Sequence, residues 1–292
     1  MISETLERTR QLVYPQIQKY LNDPLYPKQF LIPSKFHKEV ELYWSINRDY
    51  PSRMGKYLRP TLVLLIAESL GINYKKALQA AVAMQMSEEW ILISDDIEDN
   101  SDKRRGKPTL HKLHGTELAI NASDSLETIM WKMIIDCKNK KIIDEFYRLL
   151  LRTTLGQAVE QIWTNKKEII TKDKYFFIAD SKSAYYSIAG PMRLGAIVAN
   201  ANKNQLDIIT DFGLHLGRCF QLVDDIIDFE QDKKEGKTTL ANTKGVKYTR
   251  NLAEIEKKKA RKIFDQDLKF LAKEPARKQL IELINFILER DF

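Results

Sequence analysis

Cysteine, glycine and proline are all scarce in this chain, and each scarcity excludes something. Cys137 and Cys219 are the only cysteines in 292 residues. They lie far apart and outside any Cys-x-x-Cys spacing, which disfavours a disulfide framework or a thiolate zinc site and points to a reducing cytoplasm. Eleven glycines and nine prolines leave long stretches with neither, and alternating β-branched runs joined by Asn-Gly or Asp-Gly turns are missing, so a sheet is disfavoured. The longest aliphatic runs, such as Leu62 to Ala67, are much too short to cross a bilayer. The polar stretch from Met1 to Arg10 holds no apolar core of the kind a signal peptide needs.

What is present is core material and charge. The chain is 43% hydrophobic and 30% charged, enough for a large buried core under a well-solvated surface. The net charge of +7 is a mild excess, compatible with a polyanionic small molecule, nucleic acid or an anionic membrane. The basic run Lys257-Lys258-Lys259 with Arg261-Lys262 lies within one helical turn of Glu254 and Glu256, so it reads as a solvated helix face and no nucleic-acid partner is expected. Periodicity predicts helices at roughly 2–22, 35–48, 54–70, 74–99, 117–137, 140–167, 172–201, 204–230, 246–272 and 275–290. Thr171 is an N-cap candidate, Gly190-Pro191 should kink the helix that contains it, and Asp99 to Pro108 reads as a charged loop. With no repeat or linker in view, residues 1–292 are expected to form one all-α domain.

Two acidic motifs carry the chemistry. Asp95-Asp96-Ile97-Glu98-Asp99 follows the apolar Trp90-Ile91-Leu92-Ile93, and Asp224-Asp225-Ile226-Ile227-Asp228 follows Phe220-Gln221-Leu222-Val223. Residues four apart share a helix face, so Asp95 stands over Asp99 and Asp224 over Asp228. Such clusters repel themselves unless a divalent cation compensates. Mg²⁺ takes one or two carboxylates and completes its shell with water and phosphate oxygens. Two facing clusters would hold several Mg²⁺ ions around one diphosphate. Three basic groups could meet the same anion: Lys56 and Arg59, then Lys103-Arg104-Arg105, then Lys233, Lys234 and Lys237. His111 and His114 have no further zinc ligand in spacing and read as structural.

Taken together, these residues resemble the trans-isoprenyl diphosphate synthase (polyprenyl synthetase) family. The likeness runs through GKxxRP at 55–60, DDIEDNSxxRRGxPxxH at 95–111, Gln157, Lys182-Ser183, FQxxDDxxD at 220–228 and EGKTTL at 235–240. It implies an all-α, single-domain helical bundle around a central cavity, and a homodimer. It also implies that Asp95, Asp96, Asp99, Asp224, Asp225 and Asp228 ligate Mg²⁺. Arg104, Lys182 and Lys237 would hold an allylic diphosphate, and Lys56, Arg59 and Arg105 isopentenyl diphosphate. Ser183 and Gln221 would turn oxygen dipoles toward a developing allylic cation. Metals and cations would stabilise the departing diphosphate, the isopentenyl double bond would attack, and no protein nucleophile is required.

In the family, chain length is set just before the first aspartates. Trp90, with the smaller Ile91 beside it, resembles the floor of short-chain enzymes making fifteen- or twenty-carbon products. Two features depart from the pattern. Glu88 stands where the family usually has His or Gln against isopentenyl diphosphate, with Glu89 beside it, and the loop from Phe229 to Gly236 is short. They keep in view an impaired partner subunit, consuming neither substrate unaided; the Asp-rich helix itself keeps in view a class I terpene cyclase, consuming allylic diphosphate alone.

Overall fold

Where glycine and proline are scarce, the chain is helical for some two dozen residues at a time. The computed structural model describes residues 2–22, 32–235 and 239–288. Its helices are α1 (Ile2–Leu21), α2 (His37–Ser52), α3 (Leu58–Ser69), α4 (Tyr74–Glu98), α5 (Leu110–His114), α6 (Thr116–Asp136), α7 (Lys140–Asn165), α8 (Lys172–Ile178), α9 (Gly190–Val198), α10 (Lys203–Ile227), α11 (Phe229–Glu235), α12 (Leu240–Lys244), α13 (Val246–Gln266) and α14 (Ala276–Leu288). The fold is all-α, as expected. The one exception among the described residues is a two-stranded ribbon, β1 (Lys103–Arg104) with β2 (Lys107–Pro108), inside the segment read as a loop. Arg105 and Gly106 make its turn, both at positive φ, 52° and 78°, the backbone a two-residue hairpin needs to follow the strands' twist.

The chain divides into two compact units. One is drawn from Leu62–Ala77 and the described residues from Asn139 onward, the other from Ser3–Thr61 and Leu78–Lys138. In the C-terminal unit, α10 packs on α13 and on the segment joining α8 to α9. Its buried face repeats at helical spacing through Ile209, Phe212, Leu216, Cys219 and Val223, and an Asn202–Gln205 capping box closes its N-terminus. In the N-terminal unit, α2 and α5 pack on α6, around buried residues that include Trp44, Leu126 and Met130.

The helix predicted over 172–201 changes character rather than simply kinking. Thr171 caps it as expected, its hydroxyl accepting the Lys174 N–H at 3.3 Å. Ala179–Ala189 then forms a π-helix, and the α-pattern resumes at Gly190. Pro191 has no N–H to give, so the register change falls beside a residue that could not close an ordinary turn.

A duplication also emerges that the sequence hides. In each unit a long helix ends in an aspartate motif, a charged connector follows, and a five-residue helix with threonine at its N-cap position leads through glycine into another long helix. Thr109, α5, Gly115 and α6 match Thr239, α12, Gly245 and α13. The glycines agree closely, with φ/ψ of 88°/156° and 88°/154°. Only Gly, Lys, Thr, Leu and a final Gly persist between 106–115 and 236–245.

Candidate active site

In the N-terminal unit, Asp95 and Asp96 lie in the last turn of α4 and Asp99 just beyond it, with the Asp99 N–H on the Asp95 carbonyl at 2.9 Å. Burial separates them: Asp95 is half-buried, Asp96 buried and Asp99 exposed. The buried carboxylate is fully engaged by protein. Arg104 gives Asp96 Oδ1 two bonds, at 2.5 Å from Nη2 and 3.0 Å from Nε, and the Tyr50 hydroxyl donates to Oδ2 at 2.5 Å. Burial, then the neighbouring Asp96, push the Tyr50 hydroxyl up, so it stays protonated and stays a donor. Arg104 Nη2 also stands 3.5 Å from Asp95. This differs from the expectation that Asp96 points at a metal: its two oxygens serve Arg104 and Tyr50.

The tight ribbon turn sends Arg105 elsewhere. Arg105 bonds the Tyr50 carbonyl at 3.0 Å and Glu89 at 2.8 Å. Glu88 pairs with Arg59 at 3.0 Å and lies 3.5 Å from Arg105, while Lys56 is exposed. Trp90 is 9% exposed. Its indole N–H meets Met130 Sδ at 3.2 Å and its carbonyl accepts from Ser123 at 3.1 Å; Ile91 beside it is half-buried.

The C-terminal unit repeats the burial pattern. Asp224 in the last turn of α10 is half-buried, Asp225 buried and Asp228, the C-cap, exposed. Gln221 donates to Asp225 Oδ1 at 3.0 Å, while Asp225 Oδ2 is buried with no hydrogen-bond partner among the described residues. Burial pushes the Asp225 carboxyl up to about 7, against the pull of Gln221 and of the buried Tyr175 hydroxyl nearby. Lys182, on the π-helix, reaches Glu160 of α7 at 2.8 Å. Ser183 donates to the Ala179 carbonyl at 3.1 Å, which leaves its oxygen lone pairs available. Gly156 lets α7 come this close: a Cβ there would stand 2.8 Å from the Lys182 nitrogen. Gln157 is half-buried next to it. Lys237 lies outside the described residues.

These residues suit divalent cations. Both aspartate sets occupy helix C-termini, where the backbone's partial charge is already negative and a cation is favoured. The open, buried Asp225 oxygen and its raised pKa mark a carboxylate short of positive charge. No group of three ligating side chains is preassembled among the described residues. Mg²⁺ does not need one, since a pair of carboxylates plus water and phosphate completes its shell.

Sequence reasoning missed the supporting partners Tyr50, which holds Asp96, Gln85, which donates to Glu89 at 2.7 Å, Glu160, which holds Lys182, and Tyr175 beside Asp225. Only Glu160, three residues after Gln157, carried a signal, in helical spacing. No helix of the described residues is long and apolar enough to cross a membrane.

An all-α protein with two matched aspartate termini falls into a recognisable class. The chain belongs to the polyprenyl synthetase family, which it matches over residues 41–284. It is similar to a geranylgeranyl diphosphate synthase of Sulfolobus acidocaldarius, 29% identical over 79% of this chain and 72% of that one. It is 30% identical to a (2E,6E)-farnesyl diphosphate synthase of Mycobacterium tuberculosis over 64% of this chain, and spans about half that enzyme's length, 53%. A solved geranylgeranyl pyrophosphate synthetase of Geoglobus acetivorans superimposes with a TM-score of 0.82 at 24% identity, covering 99% of both chains. A Caulobacter crescentus polyprenyl synthase, complexed with calcium and isoprenyl diphosphate, has the same fold, with a TM-score of 0.79 at 19% identity over 99% of this chain and 98% of that one.

Proposed function

We propose that the chain is a short-chain trans-prenyl diphosphate synthase, joining an allylic diphosphate to isopentenyl diphosphate to give fifteen- or twenty-carbon products. One observation carries this reading: each unit ends a long helix in a half-buried, a buried and an exposed aspartate at the same positions of the motif. The reading assigns Mg²⁺ ligation to Asp95 and Asp99, and to Asp224, Asp225 and Asp228. Asp96 holds Arg104 in place.

When bound, Mg²⁺ would supply most of the charge that stabilises the departing diphosphate. Arg104, Lys182 and Lys237 bind that diphosphate, with Arg104 oriented by Asp96. Lys56, Arg59 and Arg105 bind the isopentenyl diphosphate. Ser183 and Gln221 offer oxygen dipoles to the allylic cation, and Trp90 with Ile91 limits the product. Catalysis is then positioning and electrostatics, without a protein nucleophile.

The active form is a homodimer in the cytoplasm. Support for the dimer comes from α7, where Tyr147, Leu151, Leu155 and Ile162 make an exposed apolar stripe, which a second copy would cover. The two free cysteines suit a reducing compartment.

The test is a product assay: purified protein, Mg²⁺, labelled isopentenyl diphosphate and each allylic primer in turn, with products sized after dephosphorylation. Elongation to fifteen or twenty carbons is expected. Asp95→Ala or Asp224→Ala should cut turnover by about 10²-fold or more while the helical signal is kept. Allylic diphosphate consumed alone would mark a cyclase, and no consumption a partner subunit.

A further inference from the structure

Two arginines and two glutamates of the N-terminal unit close on one another. Arg59 comes from the first turn of α3, Glu88 and Glu89 from α4, and Arg105 from the ribbon turn. Arg59 Nη1 stands 3.0 Å from Glu88 Oε2. Arg105 reaches Glu89 at 2.8 Å through Nη1 and Glu88 at 3.5 Å through Nη2. The seat for Arg105 is built: a Cβ on Gly55 would lie 2.8 Å from its Nη2, so a side chain there would displace the guanidinium.

The two carboxylates are not equivalent. Glu89 is wholly buried and takes bonds from Arg105 and, at 2.7 Å, from Gln85. A group held this way is part of the scaffold. Glu88 keeps 13% of its side chain exposed. Its Oε2 makes no hydrogen bond among the described residues in spite of the nearby Arg59. Its hold on the two arginines is chiefly one of charge, at the rim, and is open to exchange. Both arginines are assigned above to isopentenyl diphosphate, and the third cation of that set, Lys56, makes no ion pair among the described residues.

We propose that Glu88 is the specificity-determining residue of the acceptor site, a resident counter-anion that an acceptor diphosphate has to displace from Arg59 and Arg105. The inference rests on the synthase reading for the identity of the acceptor. A diphosphate and the Glu88 carboxylate cannot share the two guanidinium groups without close repulsion. Every acceptor molecule that binds therefore turns Glu88 away. Glu88 sets acceptor affinity and leaves the allylic side and the chemical step alone. It also lowers the positive charge of the free site, so stray phosphates gain less by entering it.

The test compares wild type with Glu88→Gln, nearly the same shape without the charge, and Glu88→Asp, which keeps the charge; Glu88→Ser stands in should the glutamine variant not fold. Binding of isopentenyl diphosphate is measured by calorimetry without Mg²⁺, and steady-state kinetics follow with both substrates. Glu88→Gln is expected to lower both the Kd and the KM for isopentenyl diphosphate by about tenfold or more. Allylic KM and kcat should stay within about twofold, and Glu88→Asp should stay near wild type. An unchanged or weaker Kd in the uncharged variants overturns the proposal, as does a change confined to kcat or to melting temperature, the mark of a structural role. If no variant forms product, the synthase reading fails, and the calorimetric comparison still decides the role of Glu88.

Discussion

Asp96 and Arg104 form a two-pronged bond on a carboxylate whose side chain is 1% exposed. A guanidinium presents its donors in a fixed plane, and an ammonium does not. The bond therefore orients Arg104 as well as neutralising Asp96, and the Tyr50 hydroxyl completes the set from the other side.

Arg104→Lys should keep the charge and lose the orientation. Activity is expected to fall roughly 10–100-fold with a raised KM for the allylic substrate, read by steady-state kinetics. Tyr50→Phe leaves a buried carboxylate oxygen short of a donor and should cost about 1–3 kcal/mol in chemical denaturation. If Tyr50→Phe proves neutral, Asp96 is not held as described.

The π-helix that carries Lys182 and Ser183 rests directly on α10. A Cβ on Gly217 would stand 2.5 Å from the Ala184 Cα, and one on Gly213 2.5 Å from the Ala189 Cα. These are backbone contacts that cannot flex aside. Gly217→Val should destabilise by about 2 kcal/mol or more in denaturant titration. Turnover should fall as well, because the segment carrying Lys182 has to move.

Trp90→Ala tests the floor assignment. Removing a buried indole should cost about 3–5 kcal/mol, and the product distribution should move to longer chains. A stability loss with unchanged products would make Trp90 ordinary core.

Glu256 gives the acid limb of stability. Burial alone would raise its carboxyl, but hydrogen bonds from His215 and Lys259 outweigh burial and hold it at about 2. A folded-state value below the unfolded one contributes stability above the unfolded value, near 4.3, and loses it as pH falls from there through about 2. Melting temperature measured from pH 5 to pH 2 should therefore fall less steeply in Glu256→Gln, which forgoes that contribution. An identical slope would show that His215 and Lys259 do not stabilise the charged form.

Much of this was legible in the residues alone. Helix content followed from the scarcity of glycine and proline, because local backbone preference and apolar spacing act over a few residues. The aspartate motifs were legible for the same reason: four-residue spacing on a helix is local geometry. The ribbon inside the charged connector was not, since its signal is one positive-φ turn at Arg105-Gly106. Nor was the duplication, which survives in turn geometry and barely in residue identity. Which aspartate of each motif is buried, and that Glu88 and Glu89 claim the arginines, depends on partners such as Arg104 for Asp96 and Arg59 for Glu88, supplied by other elements. Motif spacing is a property of one helix, whereas burial and ion pairing are properties of what packs against it, and packing alone determined those.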